Sequence, residues 1–536
     1  MTRHETQLTT AGVDWSGRAG AHGLNQDLID RLVAASAVAE EAERRPIVAP
    51  FTGAVIGELR VGTPADVERA VARAREAQTG WAARSIAERC AVLERVHDLV
   101  LQRREQALDL IQLESGKARR HALDEVLDVA LVSRHYAFHA ADYLKPRKHR
   151  SAFPLLTSVV ELHHPIGVVG CIAPWNFPLV LNLTDMLPAL AAGNAAVLRP
   201  DEQSSLTALW AAELLYEAGL PRDCFQVVTG DGAALGPTLI DTVDFVMFTG
   251  STKTGRIVAR QAGERLKGIS LELGGKNPMV VLPDADVAKA ADGLVRGAFI
   301  GAGQVCLSIE RTYVHESMFE RFAAEVVRRT KAMKLSAELE YGIDMGSLTV
   351  PRQLVNVSAH VEDAIAKGAT VLTGGRARPD IGPLFYEPTV LTGVTPDMRL
   401  FAEETFGPVV SLYPYSDVDD AIARANDTPY GLNASVWTKN EGQGFAVASR
   451  IRSGAVNINE ALASTWAATA APVGGQKQSG LGRRHGEEGI LKYTAAQTIA
   501  TQRFMPMAPP PFMSDAQYAD RLTRMLALVK RLPGLR

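Results

Sequence analysis

From residue 158 to about residue 292 short apolar runs alternate with helical stretches, and this rhythm constrains the fold more than any other feature of the chain. The runs are GVVGCIA, AAVLR, CFQVVTG, FVMFTG and NPMVVL, and segments such as SSLTALWAAELLYEAG separate them. Strand and helix in alternation predict βαβ units and a parallel sheet. A second alternating set over about 288–470, with ERTYVHE, TVLTGG, VVSLYPY and NASVWT as strands, predicts a second α/β domain. A length of 536 residues accommodates two domains with extensions.

Upstream, Leu28, Ile29, Leu32, Val33 and Val38 recur at helical spacing and predict a helix over 25–44. PADVERAVARAREAQTGWA, from Pro64, predicts another, and IVAPFTGAVIGELRVG between them reads as a strand pair. The basic stretch KPRKHR leads into a strand region at SVVELHHP. The first twenty residues read as a mobile tail. Beyond MPMAPPPF, a basic amphipathic helix is expected over 515–532, with Leu522, Met525, Leu526 and Val529 on one face. Packing on its own chain or a sister subunit is the simpler role for it than lying on a membrane.

The balance of charge limits the partners. A formal charge of −3 gives no electrostatic reason to expect nucleic acid or an anionic membrane. Cys90, Cys171, Cys224 and Cys306 show no CxxC spacing, so neither a zinc site nor a disulfide framework is indicated, and they read as reduced thiols. With no apolar leader at the N-terminus and no apolar run of spanning length, the expected location is the cytoplasm.

Four features carry chemistry. SLELGGKNP places Glu272 before a Gly-Gly-Lys turn, and FIGAGQVCLSIER places Cys306 behind glycines and a glutamine. Taken alone, such a cysteine is more often a buried structural thiol than a nucleophile. A thiolate nucleophile needs a flexible backbone around it and a base to activate water for its acyl intermediate. Gly301 and Gly303 supply the first and Glu272 the second. APWNFP presents Asn176, by itself an ordinary turn residue, whose amide suits an oxyanion. VLRPDEQ, VVTGDGAALG and FTGSTKTG each end a predicted strand, where glycine and a following helix N-terminus can approach a pyrophosphate. Gly230, Gly232 and Gly236 follow GxGxxxG rather than GxGxxG, a weak signal alone.

Over residues 46–501 the chain resembles the aldehyde dehydrogenase superfamily, carried by PWNFP, RPDE, FTGSTKTG, LELGGK, GQVC, EETFGPV and QKQSGLGRR in the family's order. KGISLELGGKNPM, SIERTYV, RPDIGPLFYEPTVLT and GRRHGEEGILKYT are similar to the actinobacterial branch named succinate-semialdehyde dehydrogenases. The resemblance implies a Rossmann-like dinucleotide-binding domain over 41–145 and 166–274 and an α/β catalytic domain over 275–480. It also implies a β-hairpin oligomerisation arm over 146–165 and 490–503, between extensions at 1–40 and 504–536. A homodimer or homotetramer acting on a small-molecule aldehyde is the implied state, with no metal.

The roles implied are Cys306 as nucleophile, Glu272 as general base, and Asn176 with the Cys306 N–H as oxyanion hole. For the cofactor they are Gly250 and Ser251 at the pyrophosphate, Glu404 and Phe406 at the nicotinamide and its ribose, and Arg199 and Glu202 at the adenosine ribose. Ile172, Pro174, Trp175, Gly232 and Leu273 complete the implied set. Glu202 repels a 2′-phosphate and favours NAD, while Arg199, where the family usually has Lys, offers NADP a phosphate ligand. NAD is the expected preference, with NADP left open.

Relatives that hold a substrate carboxylate do so with arginines, but here Ile300 and Thr184 occupy those positions, and Leu307 and Val473 add apolar surface. This pocket suits an apolar tail unless Ser308, Ser464 or a more distant arginine serves. Acyl transfer to coenzyme A and a catalytically silent protein are the rival readings, Glu272 speaking for hydrolysis and the intact residue set for activity.

Overall fold

The computed structural model describes residues 13–14, 17, 20–151, 156–503 and 508–530. Most of the predicted mobile tail lies outside them. The first helix, α1 (Gln26–Ala34), buries Leu28, Ile29, Leu32 and Val33 and stops ten residues short of the expected end. Beyond it the Ala37 N–H turns to the Val227 carbonyl, and Arg44 already belongs to a strand, so Val38 is buried from a loop. The predicted strand pair forms as antiparallel β1 (Arg44–Val48) and β2 (Val55–Arg60), and α2 spans Pro64–Ala82 with a Thr63/Asp66 capping box. After two further helices, Ile86–Gln102 and Arg104–Ser115, comes the long helix α3 (Arg119–Leu144).

The chain divides into two compact units, one of residues 1–143 and 165–495, the other of Leu144–His164 and Ala496–Arg536. Two sheets organise the larger unit. The first contains β5 (Val168–Ile172), β6 (Ala195–Arg199), β7 (Phe225–Val227), β8 (Phe245–Thr249) and β9 (Gly268–Glu272), all parallel, in the order β9-β8-β5-β6-β7. Strand order reverses beside β5, the arrangement of a doubly wound dinucleotide fold. Helices α4 (Ser205–Glu217), α5 (Gly232–Thr242) and α6 (Thr252–Glu264) connect these strands.

The second sheet runs β12-β13-β14-β11-β10-β15-β16. Its strands are β10 (Asn277–Val281), β11 (Ile309–His315), β12 (Thr370–Thr373), β13 (Thr389–Thr392), β14 (Val409–Tyr415), β15 (Ser435–Trp437) and β16 (Asn457–Ile458). NPMVVL therefore leaves the first alternating set and becomes a central strand of the second sheet. The expected strands at TVLTGG, ERTYVHE, VVSLYPY and NASVWT all form, and a second TVLT at Thr389–Thr392 pairs antiparallel with the first. A long apolar core packs around this sheet, with α7 (Val287–Phe299) burying Leu294, Val295 and Phe299. A late strand, β17 (Gly480–Leu481), returns to pair antiparallel with β9.

In the smaller unit the basic stretch is itself a strand, β3 (Arg147–His149), paired antiparallel with β4 (Thr157–Pro165), and β18 (Thr494–Gln502) completes that sheet. His149 and His163 both pair with Glu161, and His164 bonds Gln497. The C-terminal helix α8 (Asp515–Val529) starts at a Ser514/Gln517 capping box and exposes Met525, Leu526 and Leu528. Val529 of its expected apolar face, and residues 531–532 of its expected span, lie outside what the structure describes. Among the described residues no helix is long and apolar enough to cross a membrane.

Candidate active site

β9 ends at Glu272 and β10 begins at Asn277, so the Leu273–Lys276 turn hands the chain from the first sheet to the second. Cys306 precedes β11, the neighbour of β10, and this topology brings the two motifs together. The bend before the cysteine is tight: Gly301, Ala302 and Gly303 all have positive φ, at 56°, 56° and 70°. For Ala302 that conformation costs roughly 1–2 kcal/mol. A Cβ on Gly303 would come within 2.0 Å of the Gly407 carbonyl oxygen, so only glycine fits there.

The bend is held from several sides. His121, kept neutral by burial, accepts the Gly301 N–H on Nδ1 at 3.2 Å. Gln304 donates to the Gly301 carbonyl and accepts the Thr349 N–H, each at 3.0 Å. Asn277 Nδ2 donates to the carbonyls of Cys306, at 2.7 Å, and Ser308, at 2.8 Å, and Asn433 bonds the Leu307 carbonyl. Sequence reasoning missed Asn277 and Asn433. The one signal was a polar side chain opening the otherwise apolar NPMVV strand.

Asn176 is buried and its Nδ2 donates to the Gln304 carbonyl at 2.8 Å, which places the amide against the cysteine loop. Lys117 fixes its backbone: the ammonium donates to the Asn176 carbonyl at 2.8 Å and to Glu125 at 2.6 Å, above the Phe177 ring. Glu125 in turn accepts the N–H groups of Leu179 and Val180. This buried pair keeps the WNFP turn rigid.

Cys306 is the one partly exposed thiol of four free cysteines. Removal of water around it, with Glu272 and Glu404 as neighbouring negative charges, pushes the thiol up to about 12 against the pull of Arg484. Burial likewise pushes Glu272 to about 7, and its Oε1 has no hydrogen-bond partner among the described atoms. Arg484 arrives from three hundred residues beyond Thr184. Its Nη2 donates to the Thr184 hydroxyl at 2.8 Å, and its Nε to Asp185 at 3.0 Å. Lys492 lies 3.7 Å from the same Asp185 carboxylate, and Asp128, pushed by burial to about 7, adds a second neighbouring acid. Arg484 leaves 17% of its side chain exposed. Thus a guanidinium stands beside position 184, where the sequence itself has none. Ser308 is engaged elsewhere, its hydroxyl on the carbonyls of Gly297 and Ala298, and His485 is a buried, neutral packing residue.

The remaining implied residues gather at the carboxyl ends of the first sheet. Ile172 ends β5 between Arg199 of β6 and Phe248 of β8, and Pro174 and Trp175 follow. Gly250 and Ser251 open α6, where Ser251 Oγ caps the Thr254 N–H. Leu273 is buried against Gly255. Glu404 Oε1 accepts the Gly275 N–H at 2.9 Å, and its carboxyl is pushed to about 8 by burial and by Glu310. Phe406 meets Trp175 edge-on at 5.7 Å, its N–H held by Glu310, which also pairs with buried Lys276.

Gly232 begins α5 directly under Arg199, where a Cβ would lie 2.8 Å from the guanidinium. Gly230 instead packs on the Gly62 backbone, and Gly236 lies within the helix, so of the three glycines Gly232 is the one against the Arg199 guanidinium. Strand ends, two helix N-termini, a glycine floor and an adjacent carboxylate at Glu202 fit a dinucleotide. No group of three or more metal-ligating side chains occurs among the described residues.

A family model described as the aldehyde dehydrogenase family matches residues 37–499. The chain belongs to the aldehyde dehydrogenase family. As a family member it is an oxidoreductase that uses a nicotinamide cofactor on small-molecule aldehydes. It is 50% identical over 492 residues, 92% of this chain and 95% of the relative, to a Mycolicibacterium smegmatis protein named "Putative succinate-semialdehyde dehydrogenase (NADP(+))". Among solved structures, succinate-semialdehyde dehydrogenase from Burkholderia pseudomallei matches with a TM-score of 0.83 and 33% identity, covering 87% of this chain and 96% of that one. Betaine aldehyde dehydrogenase from Staphylococcus aureus, solved in complex with NAD+, matches at 0.84 and 31%, covering 91% and 99%.

Proposed function

We propose that this aldehyde dehydrogenase oxidises a short aldehyde bearing a far carboxylate, of the succinate semialdehyde type, and releases the acid by hydrolysis. The observation that carries the chemistry is the convergence of Asn176 and the clamped Cys306 loop beside Glu272. The substrate class rests on the names of the relatives and on Arg484, a guanidinium bonded to Thr184 whose charge acts on both Cys306 and Glu272.

Cys306 is a thiol in the resting site, so its proton must leave as its sulfur attacks the aldehyde carbon. Glu272, titrating near neutrality, is the neighbouring group able to take it. The new oxyanion lies with the Asn176 amide and the Cys306 N–H as donors. When bound, the oxidised nicotinamide supplies the hydride acceptor. Ile172, Pro174, Trp175, Leu273, Gly232, Gly250 and Ser251 would hold the dinucleotide, with Glu404 and Phe406 toward the nicotinamide and Arg199 and Glu202 toward the adenosine ribose. Once Glu272 has released that proton to solvent, its carboxylate deprotonates a water that adds to the thioester carbon, and the adduct collapses with the C–S bond broken and the Cys306 thiolate as leaving group. Such a base is needed for water as acceptor and not for coenzyme A.

NAD is the favoured cofactor because the Glu202 carboxylate suits two ribose hydroxyls, although relatives carry NADP(+) in their names. The cytoplasm is the proposed location, and the sheet of β3, β4 and β18 the proposed contact in a dimer or tetramer. Rates for four-carbon aldehydes with and without a terminal carboxylate test the substrate. The carboxylated one is expected to have the higher kcat/KM, with the advantage lost in Arg484→Gln. Equal values in the unaltered enzyme would contradict the substrate class and leave aldehyde oxidation standing.

A further inference from the structure

The proposed cofactor site contains a second arginine from far away in sequence. Arg45 lies on β1, and its Nη1 donates to Glu202 Oε1 at 2.5 Å, while Nη2 lies 3.6 Å from Glu43. The side chain is 43% exposed, and Glu202 is 31% exposed, so the pair borders solvent. Arg199 is fixed by contrast. Its Nε and Nη2 both donate to the Gly230 carbonyl, at 3.2 and 2.9 Å, and Gly232 lies flat against it. The two other nearby acids accept from backbone donors, Asp201 from the Gln203 N–H and Asp231 from the Ala234 N–H.

The end of the second strand of a doubly wound sheet is where the adenosine ribose lies, read by a carboxylate for a 2′-hydroxyl or an arginine for a 2′-phosphate. Here the carboxylate and a partly exposed arginine occupy that place together. We propose that Arg45 is the residue that lets this enzyme accept NADP. Held on Glu202, it leaves the carboxylate oriented toward ribose hydroxyls. Turned outward from the same backbone position, it binds a 2′-phosphate through its guanidinium fork and screens it from Glu202. Arg199, engaged with Gly230, has no such freedom. The proposal rests on the cofactor site described above.

The test is calorimetric binding of adenosine 2′,5′-bisphosphate and of 5′-AMP to the full chain, unaltered and as Arg45→Ala, Arg45→Lys and Glu202→Gln. Arg45→Ala is expected to weaken the bisphosphate at least about tenfold relative to 5′-AMP, and Arg45→Lys to restore it in part. Glu202→Gln is expected to tighten the bisphosphate. Steady-state kcat/KM should fall more for NADP than for NAD in Arg45→Ala, so that the NADP to NAD ratio drops. An unchanged ratio of the two nucleotides in Arg45→Ala, or no bisphosphate binding by the unaltered chain, would overturn the role of Arg45. If neither Arg45→Ala nor Glu202→Gln alters either nucleotide, the ribose does not lie there, and the site reading itself fails.

Discussion

Glu272 illustrates how much one residue's surroundings decide. A carboxylate in water is ionised throughout the neutral range, but burial holds this one near 7, against the pull of Arg484 and Lys492. Its basic form therefore grows as pH rises through neutrality. Where hydrolysis limits turnover, kcat is expected to rise about tenfold from pH 6 to pH 8 along a single titration. A flat kcat over that interval would contradict the role. The sequence disclosed Glu272, Cys306 and Asn176 because each stands in a local motif. It concealed Arg484, Asp185 and Arg45, whose partners lie 157 to 300 residues away, since spacing along the chain says nothing about such pairs.

At the scale of elements, the site depends on backbone shape as much as on side chains. The left-handed bend at Gly301–Gly303 aims the cysteine, and Asn277 at the start of β10 ties it to the second sheet. Gly303→Ala is expected to lower activity by at least about tenfold, because a Cβ there overlaps the Gly407 carbonyl and must displace the loop. Thiol labelling of Cys306 and turnover, measured together, check this; wild-type turnover would show that the bend tolerates a side chain. Strands were legible where apolar runs were long, as at FVMFTG and VVSLYPY. β16 and β17, two residues each, were not, because pairing partners rather than composition define them. The helix expected over 25–44 failed for a related reason: Val38 reaches the core from a loop that keeps the apolar spacing of a helix.

For the molecule as a whole, the Leu273–Lys276 turn joins two sheets, and its last residue is buried in an ion pair. Lys276 binds Glu310, which also accepts the N–H groups of Thr405 and Phe406 and thereby seats Glu404. Removing one member of such a pair strands the other, so Lys276→Met is expected to cost about 3–5 kcal/mol of stability. Urea denaturation of both forms measures it, and an unshifted midpoint would contradict the claim. The two-sheet plan was legible from the alternating runs. The handover point was not, because NPMVVL continues the first rhythm without a break although it belongs to the second sheet.

The central claim, that a Cys306 thioester is hydrolysed through Glu272, is tested most directly by rapid mixing of Glu272→Gln with aldehyde and cofactor. One burst of reduced cofactor per site, slower than in the unaltered enzyme because Glu272 also takes the Cys306 proton, followed by loss of steady turnover is the expected result. Turnover continuing at the rate of the unaltered enzyme would contradict it.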